Sequence, residues 1–180
     1  MDPHEEYVVL VDEKDQEIGI RKKQIVHTNK TPLHRAFSLF LFKSTKELLL
    51  QQRAKEKITW PLVWSNSCCG HPLPEESYKS AVKRRTRQEL GVELSTLIKI
   101  SDFRYCFSKD GVMENEICPI FVGRYDGKVM PNPQEVQAIK WIQWNDWLKE
   151  TVRYPGKYSP WCVEETRILS LDKPFNRWHA

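Results

Sequence analysis

WSNSCCGHPLPEESYKSAVKRRTRQELGVE, residues 64–93, decides how this chain is read. Its first nine residues pack a thiol pair, a glycine and a histidine between an apolar run and an acidic helix start. A loop with Cys69 and His71 this close together serves a metal, a nucleophile or both. If 64–71 is extended, alternation puts Cys69 and His71 on one face and sends Cys68 to the core. The second part reads as a helix over 77–90. Ser77 is placed to cap it, no Gly or Pro interrupts it, and Gly91 stops it. Ala81, Val82 and Leu90 make a thin apolar stripe, and Arg85 and Glu89, four apart, share a face.

Working outward, 7–11 reads as a buried strand, and 18–23 as a short basic strand that pairs back on it. The runs 36–42 and 48–53 form a strand pair across Lys43-Ser44-Thr45-Lys46, since short apolar runs bounded by turn signals favour strands. A further short strand is expected over 64–69. Residues 97–107 and 112–125 are two strands around Asp110-Gly111, a favourable hairpin turn. A strand over 138–144 leads into a helix over about 145–152. Ser159-Pro160 opens a last helix over about 160–171, and the tail from Asp172 reads as loose. These elements give an α/β (α+β) fold, a mixed sheet between helices, in one domain over 1–180 with its core at about 7–171.

The chain has 180 residues, 40% of them hydrophobic, which is enough for one core. Its net charge of +4 is mild and evenly spread, so it makes no case for nucleic acid. The N-terminus lacks an apolar core of signal-peptide length, and no run approaches the roughly 18 apolar residues of a membrane span. Five cysteines without a CxxC pair point to reduced thiols and a cytoplasmic setting. Cys68, Cys106, Cys118 and Cys162 are expected to be structural.

Three of the five histidines, His27, His34 and His71, fall in or beside loops of the first half. On a strand through Met113-Glu114-Asn115-Glu116-Ile117, Glu114 and Glu116 face the same way, about 7 Å apart. Carboxylates so placed repel unless a cation or donor lies between them. Three neutral imidazoles and two carboxylates suit zinc, manganese or iron better than calcium. The bland alternative is an exposed acidic strand face with unrelated histidines.

From Gly70 the spacing follows the skeleton of the Nudix box over 70–92: Gly70, five residues, Glu76, seven residues, Arg84, then Glu89, Gly91 and Val92. Arg85 stands where that family has Glu, Thr86 where it has an aliphatic residue, and Gln88 where it has another Glu. Together with AFSLFLF, WSNSCCGHP, DFRY, MENEICP and YSPW in this order, the chain resembles type 1 isopentenyl-diphosphate delta-isomerase, a divergent Nudix family. Cys68 departs from it, since the bacterial form usually has valine there.

The resemblance implies an isomerase that interconverts isopentenyl and dimethylallyl diphosphate, as a monomer or homodimer. It makes Cys69 and Glu116 the acid–base pair, with Tyr105 beside Glu116. It assigns His27, His34, His71, Glu114 and Glu116 to one tightly bound Mn2+ or Zn2+, and Glu89 to a Mg2+ carried with the substrate diphosphate. Lys23, Arg53, Lys57 and Arg85 fall at diphosphate-contacting positions, and Trp161 beside the reacting carbons. Two readings compete: a Nudix pyrophosphohydrolase, and a non-catalytic metal-stabilised binding module.

Overall fold

The structure, a computed structural model, describes residues 6–179. The run Phe37–Phe42, strand β4 in chain order, is buried on both faces. Phe40 and Phe42 enter a core beneath the C-terminal helices, while Phe37, Leu39 and Leu41 enter a second core beneath the helix Tyr78–Leu90. This double burial explains why the segment reads as continuously apolar rather than alternating. Ser38 is the one polar residue in it, fully buried.

The single mixed sheet expected from sequence is two sheets. The first orders Glu17–Lys22 (β2), Tyr7–Val11 (β1), His34–Arg35 (β3), Val112–Ile117 (β10) and Arg104–Lys109 (β9). The second orders Val136–Gln143 (β12), Glu47–Arg53 (β5), β4, Ile120–Arg124 (β11) and Leu97–Ser101 (β8). The expected strands 97–107 and 112–125 each break once and serve both sheets. The second break falls at Cys118-Pro119, where proline has no N–H for a ladder. Two parallel pairs, β3 with β10 and β4 with β11, carry the chain from one sheet to the other. Ala36 N–H to Ile117 O (2.9 Å) and Ser38 N–H to Pro119 O (3.2 Å) bridge the bend.

Strands β4 and β5 pair only at Phe42 and Leu48, then diverge. The stretch expected as one strand over 64–69 is two pieces that fill the gap: Trp64–Ser65 (β6) pairs with β5, and Cys68–Gly70 (β7) pairs with β4. Between them Ser67 Oγ accepts from Leu41 N–H (2.7 Å) and donates to Leu49 O (2.6 Å), tying both strands together. Asn66 Nδ2 donates to Leu39 O and Cys68 O, each at 3.2 Å. Buried polar side chains thus satisfy backbone groups that the parting strands would orphan.

After the single-turn helix Lys23–Val26 (α1), helix α2, Tyr78–Leu90, has the caps its sequence announces. Ser77 Oγ accepts from Ser80 N–H at 3.2 Å, and Gly91, at φ 65°, donates to the last turn. Its inner face is completed by Arg85, Thr86 and Glu89, all buried, so a thin apolar stripe suffices. The helix lies so close to β7 that a Cβ on Gly70 would meet Arg85 Cγ at 3.0 Å and the Phe37 ring at 3.2 Å. Gly70 therefore serves close packing.

Trp144–Arg153 (α3) and Pro160–Leu171 (α4) cover the other face, α4 with the expected bounds. The tail expected to be loose is a further helix, Lys173–His179 (α5). Asp172 Oδ1 caps it from Phe175 N–H (2.6 Å), and Phe175 is fully buried against Phe42 and Trp144. Phe175→Ala is expected to lower stability by about 3 kcal/mol in urea unfolding; an unchanged midpoint would show that α5 does not dock. Among the described residues no helix is long and apolar enough to cross a membrane.

Candidate active site

The strands bring the separated histidines together. His34 on β3 pairs with Glu116 on β10, Glu116 pairs across to Tyr105 on β9, and His71 follows β7 directly. The three imidazole rings form a triangle with centroids 5.1–5.6 Å apart. One ligand atom from each of His27, His34, His71 and Glu116 lies within 4.8 Å of the others. Glu114, two residues from Glu116 on the same strand face, places Oε2 3.0 Å from His27 Nε2.

This geometry fits a divalent cation. His34 Nδ1 lies 2.9 Å from Pro32 O and so takes the N–H, which leaves a lone pair on Nε2. That Nε2 lies 3.3 Å from His71 Nε2 and 3.4 Å from Glu116 Oε1, and His71 Nε2 lies 3.0 Å from the same oxygen. His27 Nε2 and Glu114 Oε2, though 3.0 Å apart, are buried without a hydrogen bond among the described residues. Acceptor atoms that crowd one point without enough protons between them suit a metal. Burial and then the neighbouring His34 hold His71 well below the usual histidine range. Burial pushes the Glu116 carboxyl up, but a proton on His34 Nε2, where a metal would otherwise sit, outweighs it by hydrogen bond and charge and leaves it lowered.

Cys69 and Glu116 line one cleft of about 680 Å³, as do all the expected site residues except His34 and Glu89. The Cys69 thiol donates to Asn66 Oδ1 (3.1 Å) and lies 3.5 Å from Ser38 Oγ. Burial, and then the charge of Glu165, push it up to about 12, so it keeps its proton. Tyr105 O–H donates to Glu116 Oε2, and burial raises its own ionisation well above the usual range. The Tyr105 ring stacks on Trp161 (centroids 5.9 Å, 13° between planes), and Trp60 meets Trp161 edge-on at 5.2 Å.

The other end of the cleft is charged. Arg85 Nη2 pairs with Glu89 Oε1 and, at 3.2 Å, with Glu135 Oε1. Lys57 Nζ pairs with Glu135 Oε2 and lies 3.9 Å from Glu89 Oε1. Lys23 pairs with Glu6, which also reaches Arg85 Nη1 at 3.3 Å. Arg53 donates to Thr59 O (2.8 and 3.0 Å) and holds its guanidinium 5.6 Å from the Trp161 ring centre. Glu89, with Gln51 Nε2 donating to it at 3.2 Å, offers one carboxylate of the kind magnesium combines with phosphate oxygens.

Sequence reasoning missed Ser38, Asn66, Glu6, Glu135 and Glu165. Ser38 announces itself as the lone hydroxyl in AFSLFLF, and Asn66 by its place between two serines. Glu135, beside the proline loop, has no local signal because only the tertiary fold brings it to Lys57. Glu165 on α4 is fully buried, 3.8 Å from Cys118 Sγ, and burial raises it well above the carboxylate range. Of the cysteines expected to be structural, Cys68, Cys118 and Cys162 are buried, but Cys106 is exposed. It lies on β9 between Tyr105 and Phe107, and alternation turns it away from the cleft.

A fold of this order, with its capped helix after β7, is the Nudix fold: a NUDIX domain profile matches residues 32–162. DR0079 from Deinococcus radiodurans shares the fold at a TM-score of 0.72 and 21% identity, over 90% of this chain and 98% of that one. A MutT protein from Methanosarcina mazei Go1 does so at 0.62 and 18%, over 81% and 94%. In sequence, the chain is 43% identical over 166 residues to an isopentenyl-diphosphate Delta-isomerase of Saccharopolyspora erythraea, covering 91% of this chain and 86% of that protein. It is equally identical to the enzyme of that name from Mycolicibacterium vanbaalenii, covering 91% of each. The chain belongs to the isopentenyl-diphosphate Delta-isomerase family.

Proposed function

We propose that this chain interconverts isopentenyl diphosphate and dimethylallyl diphosphate by moving a proton onto one end of the alkene and taking another from the far side. The observation that carries this reading is a thiol and a carboxylate lining one cleft whose other end presents Lys23, Arg53, Lys57 and Arg85. An unactivated alkene isomerises by this route only through a tertiary carbocation, so it needs two acid–base groups and no nucleophile. Cys69 and Glu116 take these roles, and Tyr105 holds a proton against Glu116 Oε2. The faces of Tyr105 and Trp161 offer electron density to the cation and exclude the water that would trap it.

Lys23, Arg53, Lys57 and Arg85 anchor the diphosphate without cleaving it. His27, His34, His71, Glu114 and Glu116 would hold Mn2+ or Zn2+, and Glu89 a Mg2+ shared with the diphosphate. When bound, the first ion draws charge from Glu116 and fixes its protonation, and the second neutralises the diphosphate. The chain acts as a single domain over 1–180, with residues 1–5 and 180 outside the described ones. Diphosphate hydrolysis is disfavoured because Arg85 and Gln88 stand where it needs carboxylates, and Arg85 is engaged with Glu89.

The test gives the protein isopentenyl diphosphate with magnesium and looks for an acid-labile allylic product, with nucleoside diphosphate derivatives in parallel. Allylic product with no phosphate release is expected. Phosphate release with no allylic product would reverse the assignment.

A further inference from the structure

The cationic end of the cleft holds more carboxylates than an anchor for an anion requires. Glu135 stands at its mouth with a side chain 25% exposed, between Lys57 Nζ and Arg85 Nη2. Glu89, with a side chain only 2% exposed, meets the same two cations from below. Glu6 engages Lys23 and Arg85. The backbone of Glu135 is fixed on both sides: its N–H donates to Asn132 O (2.9 Å) and its carbonyl accepts from Ala54 N–H (3.1 Å). Only its side chain can yield to an incoming ligand. Burial raises the Glu135 carboxyl, but Arg85 and then Lys57 outweigh this and hold it at about 2, so it is a standing negative charge.

Four cations, Lys23, Arg53, Lys57 and Arg85, thus face as many carboxylates, Glu6, Glu56, Glu89 and Glu135, leaving no net positive charge. A diphosphate ester carries about three negative charges near neutral pH, and its magnesium complex about one. An end with no net charge opposes the free ester far more than the complex. A free diphosphate would meet Lys57 and Arg85 already satisfied and would lie against two carboxylates in a partly desolvated cleft, where like charges repel strongly.

We propose that Glu135 makes the cleft selective for the magnesium complex of its diphosphate ligand, by occupying the two cations that a free diphosphate would need. This rests on the diphosphate reading above and adds to it a specificity-determining residue that the sequence does not mark.

The test is calorimetric titration of isopentenyl diphosphate into the Cys69→Ala protein, which prevents turnover, with and without magnesium. Adding Glu135→Gln is expected to tighten metal-free binding about tenfold and to change binding of the magnesium complex by less than about threefold, so that the magnesium dependence collapses. An unchanged ratio would overturn the proposal. So would equal weakening in both conditions, which would make Glu135 a mere prop for Lys57 and Arg85. Should the parent protein fail to bind the ligand even with magnesium, the diphosphate reading itself falls, and that outcome is visible before the variant is measured.

Discussion

Cys69→Ala is expected to lower kcat by about a thousandfold or more while KM and folding change little. The thiol lies at the middle of β7, whose pairing with β4 does not involve the side chain, and its contacts are Asn66 Oδ1 and Ser38 Oγ. Alanine leaves both partners their other contacts: Asn66 still meets Leu39 and Cys68, and Ser38 still meets Cys118. The charged end of the cleft is untouched, so ground-state binding survives. A thermal midpoint near that of the native protein, with turnover near background, is the expected pair of readings. Full turnover would remove Cys69 from the acid–base pair.

Glu116→Gln is expected to be as damaging, for two reasons that can be separated. Glu116 Oε1 faces His34 and His71, and Oε2 accepts from Tyr105. An amide keeps the shape but gives up the charge, so divalent-metal affinity should fall at least about tenfold and turnover about a thousandfold. Glu114→Gln removes a carboxylate from the same cluster without touching the acid–base pair. Excess metal should therefore restore turnover to Glu114→Gln and not to Glu116→Gln, with bound metal measured by elemental analysis in each. Recovery of both variants would reduce Glu116 to a ligand alone.

How far sequence carried these assignments depended on how local each signal was. The helix at 78–90, expected over 77–90, was legible to within one residue because both caps are encoded beside it. The His/Glu cluster was legible as residue types, but its convergence was not, since that depends on β3 pairing in parallel with β10, some 80 residues away. The division into two sheets was hidden because neither long strand carries a turn signal strong enough to end it; Asp102 and Pro119 only hint at the breaks. The tail was misread because Phe175 and Trp178 look isolated until Phe42 and Trp144 are known to lie under them. Glu135 could not be found at all, because an acidic residue after a proline loop is ordinary until Lys57 is placed against it.

The bend between the sheets bears on the chemistry in another way. Cys69 is registered against Ser38 on the far side of it, and Glu116 against His34 on the near side. In the proposed reaction the two groups that face each other across the alkene are thus the tips of a calliper, whose joint is Ala36 on one arm and Cys118-Pro119 on the other. The separation of their Cα atoms is set by backbone curvature at a few covalent links, and the side-chain rotamers work from that base. The span that the proposed proton transfer has to bridge therefore starts from the scaffold. A substitution at the joint, where no residue lines the cleft, would change the gauge of the instrument while leaving all its parts in place.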